Sequence, residues 1–223
     1  MTAGTASLFS RVAAVGDASS ADAVTISQRA RMLDAVTRSV AEKGFPKTTV
    51  ADIVAGAGVS RSTFYEQFDD REACFLVAYE TGAQIVLDEI ADEVRGLPDD
   101  PTWRTRLRVS LEAYTRILAA EPDFAKALLV DVLGAGPAAV ATRRVVFARF
   151  VDHYRALRAI AALEEPAIGR LPDLYLRALV GGIDELAQEH IVAHGARTLP
   201  RLAPDLVQIA SAVFAAPAAA AVP

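Results

Sequence analysis

Cysteine occurs once in the 223 residues, at Cys74, so no disulfide can form within the chain. A lone reduced thiol suits a cytoplasmic setting, which is the expected location. No apolar run reaches the roughly 18–20 residues needed to cross a bilayer, and no apolar stretch of signal-peptide type follows Arg11, so neither a membrane segment nor a leader is expected. An excess of positive charge is also missing. Lys and Arg total 23 against 28 Asp and Glu, a formal net charge of −5. Any nucleic-acid role must therefore rest on a local motif and not on bulk electrostatics. Period-two alternation of β-branched residues is absent, which removes the case for strands. No glycine-rich phosphate loop, Ser/His/Asp arrangement or paired carboxylate set stands out, so no catalytic residue and no cofactor is expected.

What remains is a chain that is 52% hydrophobic and rich in alanine, enough for a packed helical core. Its punctuation divides it. Residues 1–25, rich in Ala, Ser, Thr and Gly, read as a mobile arm, and 216–223, nearly all Ala with proline, as a frayed tail. A first helix is expected over 26–43, with Met32, Leu33, Val36 and Val40 on one face and Gly44 as its stop. Thr49 caps a short second helix that ends at Gly56 and Gly58, and Ser60 caps a third over 61–68. Asp70 caps a long fourth helix. Further helices are expected over 103–120, 123–133, 138–163, 171–194 and 202–215. The predicted fold is all-α: a three-helix N-terminal domain over 26–79 and a helical bundle over 80–215, about nine helices in all.

Residues 49–68 have the layout of a helix-turn-helix. Gly58 can take a positive φ in the tight turn, Ala55 and Ala57 are small enough for close helix approach, and Val59, Phe64 and Phe68 supply an apolar underside. Arg61, Ser62, Thr63, Tyr65, Glu66 and Gln67 are left to point outward, as a helix entering a major groove requires. Taken alone, Phe64 and Tyr65 are equally readable as core aromatics, and Thr49 and Ser60 as ordinary caps. Between 26 and 72 there are seven basic residues (Arg29, Arg31, Arg38, Lys43, Lys47, Arg61, Arg71) against seven acidic ones. Few phosphate contacts are therefore expected.

The run from Arg29 to Phe75 resembles the DNA-binding domain of the tetracycline-repressor (TetR) family of bacterial regulators. The resemblance is carried by Arg29, Leu33, Ala35, Gly44-Phe45, Thr48-Thr49, Ile53, Ala57-Gly58-Val59-Ser60, Thr63-Phe64-Tyr65, Phe68 and Arg71-Glu72-Ala73. Gln67 stands where the family more often has His, and Val40 where it has Phe. The resemblance implies a repressor that reads a palindromic double-stranded DNA operator as a homodimer and responds to a small-molecule effector. It implies phosphate contacts from Thr49, Tyr65, Gln67 and Arg71 and base contacts from Arg61, Ser62 and Thr63, with Ser60 counted in the same DNA-binding set. It also implies that the larger half is a ligand-binding and dimerisation domain.

Within that half, Leu174, Leu176, Leu179, Val180, Ile183, Leu186, Ala187 and Ile191, with Leu202, Leu206, Ile209, Val213 and Phe214, offer more apolar surface than exposed helices need. They suggest a four-helix dimer seam, and the Gly181-Gly182 pair fits close helix approach there. Candidate effector contacts are Trp103, Tyr114, Phe124, Phe147, Phe150, Tyr154 and Tyr175, which suit a largely apolar ligand; each is equally readable as core. His190 and His194 are spaced like a metal pair, but Ile191 fills the position where a zinc-protease motif needs Glu, and no metal is expected. A helical-bundle enzyme or a partner-binding protein without DNA readout is the alternative.

Overall fold

The computed structural model describes residues 7–13, 20–168 and 171–216. Among these the chain is all-α, with no strand. The helices are α1 (Leu8–Ala13), α2 (Ser20–Lys43), α3 (Val50–Ala57), α4 (Arg61–Tyr65), α5 (Arg71–Arg95), α6 (Trp103–Ala120), α7 (Pro122–Leu129), α8 (Pro137–Glu164), α9 (Asp173–His194) and α10 (Ala203–Phe214). Short 3-10 turns lie at Phe45–Lys47, Asp131–Gly134 and Ala196–Arg201.

Residues 1–25 differ from the arm that their composition suggests. In their described part Leu8 and Phe9 are buried on α1, and α2 begins at Ser20 instead of 26. Phe9 meets Phe124 edge-on at 6.1 Å, and the Ser7 and Ser10 hydroxyls donate to the Asp34 carboxylate. The stretch 23–27 at the head of α2 is exposed, so no apolar periodicity marks it. Residues 1–6 and 14–19, and 217–223 of the expected frayed tail, lie outside the described residues.

The described residues fall into two compact units. The first runs to Ile85 and includes Asp123–Thr142; the second takes Val86–Pro122 and the residues from Arg143 onward. This grouping divides α5 at 85/86, beyond the expected boundary at 79/80, and assigns α7 to the N-terminal unit. Two contacts give the reason. Lys126 Nζ donates to the Ala41 carbonyl at the end of α2 (2.6 Å) and pairs with Asp131 at 3.0 Å. The Phe124 ring fills the notch at Gly82, where an added Cβ would lie 2.2 Å from it.

The core of the first unit is built on one face of α2, whose Met32, Leu33, Val36 and Val40 are buried as their spacing predicts. Against it lie Ile53, Phe64, Phe68, Phe75 and Tyr79. Cys74 is in this core, 0% exposed, and burial pushes its thiol up to about 12, which suits an inert packing role and not a redox one. In the second unit Trp103 stacks on Phe214 at 5.8 Å, with Tyr154 edge-on to the same ring. Glu164 and Glu165 cap the start of α6: they accept from the Trp103 backbone N–H (2.8 Å) and its indole N–H (3.1 Å).

Because a methyl group at Gly82 has no room unless Phe124 moves, Gly82→Ala is expected to destabilise the protein by about 1–3 kcal/mol despite the better helix propensity of alanine. Urea melts followed by circular dichroism check this; an unchanged or raised midpoint would show that the notch does not constrain the ring.

Candidate DNA-binding surface

The surface is assembled from the turn that follows α2. Gly44 takes φ 80°, and Thr48 is fully buried, its hydroxyl donating to the Gly44 carbonyl (3.1 Å) and accepting from Ser39 (3.2 Å). Thr49 then opens α3 with a capping box. Its hydroxyl accepts from the Asp52 amide (3.2 Å), and the Asp52 carboxylate accepts from the Thr49 amide (2.7 Å). Lys43 pairs with the same carboxylate at 2.7 Å.

Helix α3 closes at Gly58 in the left-handed conformation, φ 63° and ψ 41°. The carbonyls there are taken up by α2: Arg31 donates to Ala57 O at 2.9 Å and Arg38 to Gly56 O at 3.4 Å. The close approach of α2 and α3 is made at Gly56, where an added Cβ would lie 3.1 Å from Ala35 Cβ. Ala57 is buried as expected, but Ala55 is exposed and plays no part in it.

Ser60 caps α4, accepting from the Thr63 amide at 3.0 Å and sharing hydroxyl contacts with Ser62 and Thr63. Phe64 anchors the helix, 0% exposed and 5.7 Å from Phe68. The helix ends at Tyr65, short of the expected 68, because the amides of Gln67 and Phe68 both turn to the Phe64 carbonyl.

The expected DNA-binding residues divide into two groups. Thr49, Ser60, Arg61, Ser62 and Tyr65 are exposed and Thr63 half-buried, with the Arg61 guanidinium 5.9 Å from the centre of the Tyr65 ring. The other two are placed differently. Gln67 is half-buried, its side-chain oxygen enclosed and without a hydrogen bond among the described residues. Arg71 turns onto the preceding turn, donating to the carbonyls of Phe45 (3.0 Å), Pro46 (3.2 Å) and Thr48. The other basic side chains are also engaged: Arg29 lies 4.5 Å over the Phe68 ring, and Arg31, Arg38 and Lys43 hold the contacts given above. Only Arg61 and Lys47, of the seven, are exposed with no carboxylate or carbonyl partner among the described residues. Lys47 was not among the expected contacts; its sequence neighbours mark a turn but not which cation in it is left over.

Residues 32–78 match the family model described as bacterial regulatory proteins, tetR family. The likeness to that family is thus carried by the helix-turn-helix segment. Among curated proteins it is similar to the HTH-type transcriptional repressor AcnR of Corynebacterium efficiens, 26% identical over 104 residues. That match covers 44% of this chain and 55% of the relative, so the chain spans about half the length of the TetR-type protein it resembles. Among solved structures it resembles the fatty acid degradation regulator FadR of Bacillus halodurans, with a TM-score of 0.72 at 17% identity, over 82% of this chain and 94% of that one. The FadR of Bacillus subtilis in complex with stearoyl-CoA gives a TM-score of 0.70 at 15% identity, over 81% and 96%. At such identities the likeness is one of fold.

The seven expected effector contacts are not gathered in one place. Phe124 belongs to the first unit, against Phe9 and Gly82. In the second unit Trp103 and Tyr154 pack on Phe214, while Tyr114 meets Phe150 edge-on at 6.0 Å. Tyr175 is 46% exposed. Phe147 lines a groove of about 290 Å³ between α8 and α9 together with Val151, Arg144, Arg155, Asp173 and Arg177, a charged lining where an apolar one was expected. Near the Tyr114–Phe150 pair, His153 shares a 3.2 Å hydrogen bond with the buried Ser110 hydroxyl, and burial lowers its imidazole to about 4, so it is neutral at pH 7. His190 is held by the Thr198 hydroxyl at 2.9 Å.

Ser60→Ala is expected to cost about 1 kcal/mol through loss of the α4 cap, read from urea midpoints. The Lys43 and Thr49 contacts hold the Asp52 carboxyl at about 2, below its ordinary 3.8. Its contribution to stability is therefore complete above about 4 and lost as pH falls through about 2. Carboxyl NMR titration of Asp52 checks this, and a midpoint near 3.8 would show the capping box to be open in solution.

Proposed function

We propose that this chain is a TetR-family transcriptional repressor that binds a palindromic operator as a homodimer and is released by a small, largely apolar effector. The observation that carries the reading is the exposed row of Arg61, Ser62, Thr63 and Tyr65 on α4, set on a buried Phe64 anchor and a fixed left-handed turn. Short polar side chains with one arginine on a rigid helix suit base edges in a major groove. Thr49 and Tyr65 are then phosphate contacts, each keeping an exposed side chain. The repressor named among the relatives supports the sign of control.

A reader with so few uncommitted cations needs two copies on two half-sites. The α9–α10 region supplies a seam for them. Leu176, Leu179, Val180, Ile183, Ala187 and Ile191 are used inside the chain, as are Leu206 and Phe214. Leu174, Val192 and Ile209 stay exposed, at 72%, 71% and 42%. Gly182 faces open space, which leaves room for a second helix. The stearoyl-CoA held by the FadR neighbour supports an apolar effector, for which the aromatic residues of the second unit, Trp103, Tyr114, Phe147, Phe150, Tyr154 and Tyr175, are the proposed contacts. Its binding acts through α5, which runs from the first unit into the second, by favouring the spacing of the two readers that does not fit the operator.

Gel shifts with the DNA upstream of its own coding region test the reading. A palindromic site should be retarded, and Arg61→Ala should weaken it by roughly 10–100-fold, the worth of a good base contact of about 1–3 kcal/mol. No retarded site, or an unchanged affinity in Arg61→Ala combined with Tyr65→Phe, would sink it. Sedimentation should show a dimer at micromolar concentration; a monomer alone would remove the two-half-site mechanism.

A further inference from the structure

We infer that Arg71 is a positioning residue and not a phosphate contact, and that Lys47, on the turn that Arg71 holds, takes a backbone phosphate in its place. The inference rests on the DNA-binding reading above and assigns two residues within it.

One Nη of Arg71 faces the carbonyls of Phe45, Pro46 and Thr48, and the guanidinium lies 4.7 Å over the Phe45 ring. These residues make up the turn between α2 and α3. Three carbonyl oxygens directed at one point form a concentration of partial negative charge that repels a phosphate and attracts a cation. The Arg71 charge is absorbed there. A side chain stacked on an aromatic ring and directed at three main-chain acceptors gives up these contacts if it swings outward. The arginine thus occupies the position at which the family resemblance implied a phosphate contact, but its geometry is that of a clamp.

Lys47 is in the opposite situation. It ends the 3-10 turn that Arg71 grips and is exposed, and its ammonium has no partner among the described residues. Two positions before it is Phe45, which is buried, and directly after it is Thr48, which is fully buried with its hydroxyl hydrogen-bonded to both Gly44 and Ser39. Its main chain is therefore fixed on both sides while its side chain is free. Two residues on is Thr49, whose exposed hydroxyl is a proposed phosphate contact. Of the seven basic residues between 26 and 72, Lys47 and Arg61 alone keep an exposed charge without a carboxylate or carbonyl partner among the described residues, and Arg61 sits on the base-reading helix. Lys47 is the cation left for the backbone.

Salt dependence separates the two roles, because log K falls with log[salt] by about 0.9 for each phosphate neutralised, or about 1.8 for a dimer. The full-length protein is used with the tightest duplex that it recovers from a randomised pool, and anisotropy titrations are run between about 50 and 200 mM salt. Lys47→Ala is expected to flatten the slope by about 1.8. Arg71→Gln is expected to lower affinity several-fold with the slope unchanged. Any flattening in Arg71→Gln, or none in Lys47→Ala, overturns the corresponding assignment. The clamp is also read without DNA: the amides of Lys47 and Thr48, which donate to Gly44 and Phe45, should exchange faster in Arg71→Gln, and unchanged exchange would overturn it. If no duplex is enriched, the DNA-binding reading fails and the Lys47 role with it, while the exchange rates still decide the role of Arg71.

Discussion

At φ 63° Gly58 turns the chain sharply between α3 and α4, and the orientation of the exposed helix depends on that single left-handed residue. Any side chain there carries a strain of about 1–2 kcal/mol. The turn is also tied down from outside. Arg31 and Arg38, reaching from α2, take the carbonyls of Ala57 and Gly56, and Gly56 lets α3 approach within contact of Ala35. Helix α2 therefore serves as both the floor of the reader and the cap of its middle helix. Five residues of α4 cannot hold a helix by themselves; the Ser60 cap at one end and the Phe64 anchor beneath do so, and both take their positions from the turn.

This tying-down uses up charge. Arg29, Arg31, Arg38, Lys43 and Arg71 each spend their cation on an aromatic ring, a carbonyl or a carboxylate within the first unit. A local count of seven basic residues against seven acidic ones thus overstates what is offered to an outside anion. The same accounting explains how an acidic chain can hold a helix-turn-helix: the arginines act as bolts for main-chain acceptors, and a small remainder faces outward. Surface pairs such as Lys43–Asp52 contribute little to stability in solvent; their main consequence is to hold the α3 cap in place and to remove Lys43 from the set of available charges.

The reader was legible in the sequence because its determinants are local. Thr49 and Asp52 lie three residues apart, as do Ser60 and Thr63, and the 3.6-residue spacing of Met32, Leu33, Val36 and Val40 marks the buried face without any distant partner. Where contacts join remote residues, legibility ended. Arg71 meets Phe45, Pro46 and Thr48 across more than twenty positions, and no pattern near Arg71 distinguishes a clamp from a phosphate contact. Leu8 and Phe9 find their partners on α2 and at Phe124, so a short helix inside a small-residue stretch read as an arm. Trp103, Tyr114, Phe124 and Tyr154 are buried, but which aromatic residues share a neighbourhood is a property of packing: Phe124 lies with Gly82 and Phe9, while Trp103 and Tyr154 pack on Phe214.

The assignment of Asp123–Thr142 to the first unit gives the reader a second support. Lys126 bonded to Ala41 spans 85 positions, so α7 is fastened to the end of the very helix that floors the reader. The chain then crosses between the units at three places: within α5 at 85/86, one residue into α7 at 122/123, and within α8 at 142/143. All three crossings lie inside helices. Within the first unit the reader is braced from two sides, by the arginines that take its main-chain carbonyls and by Lys126 of α7 at the end of α2, so the shape of α4 is set by its own unit.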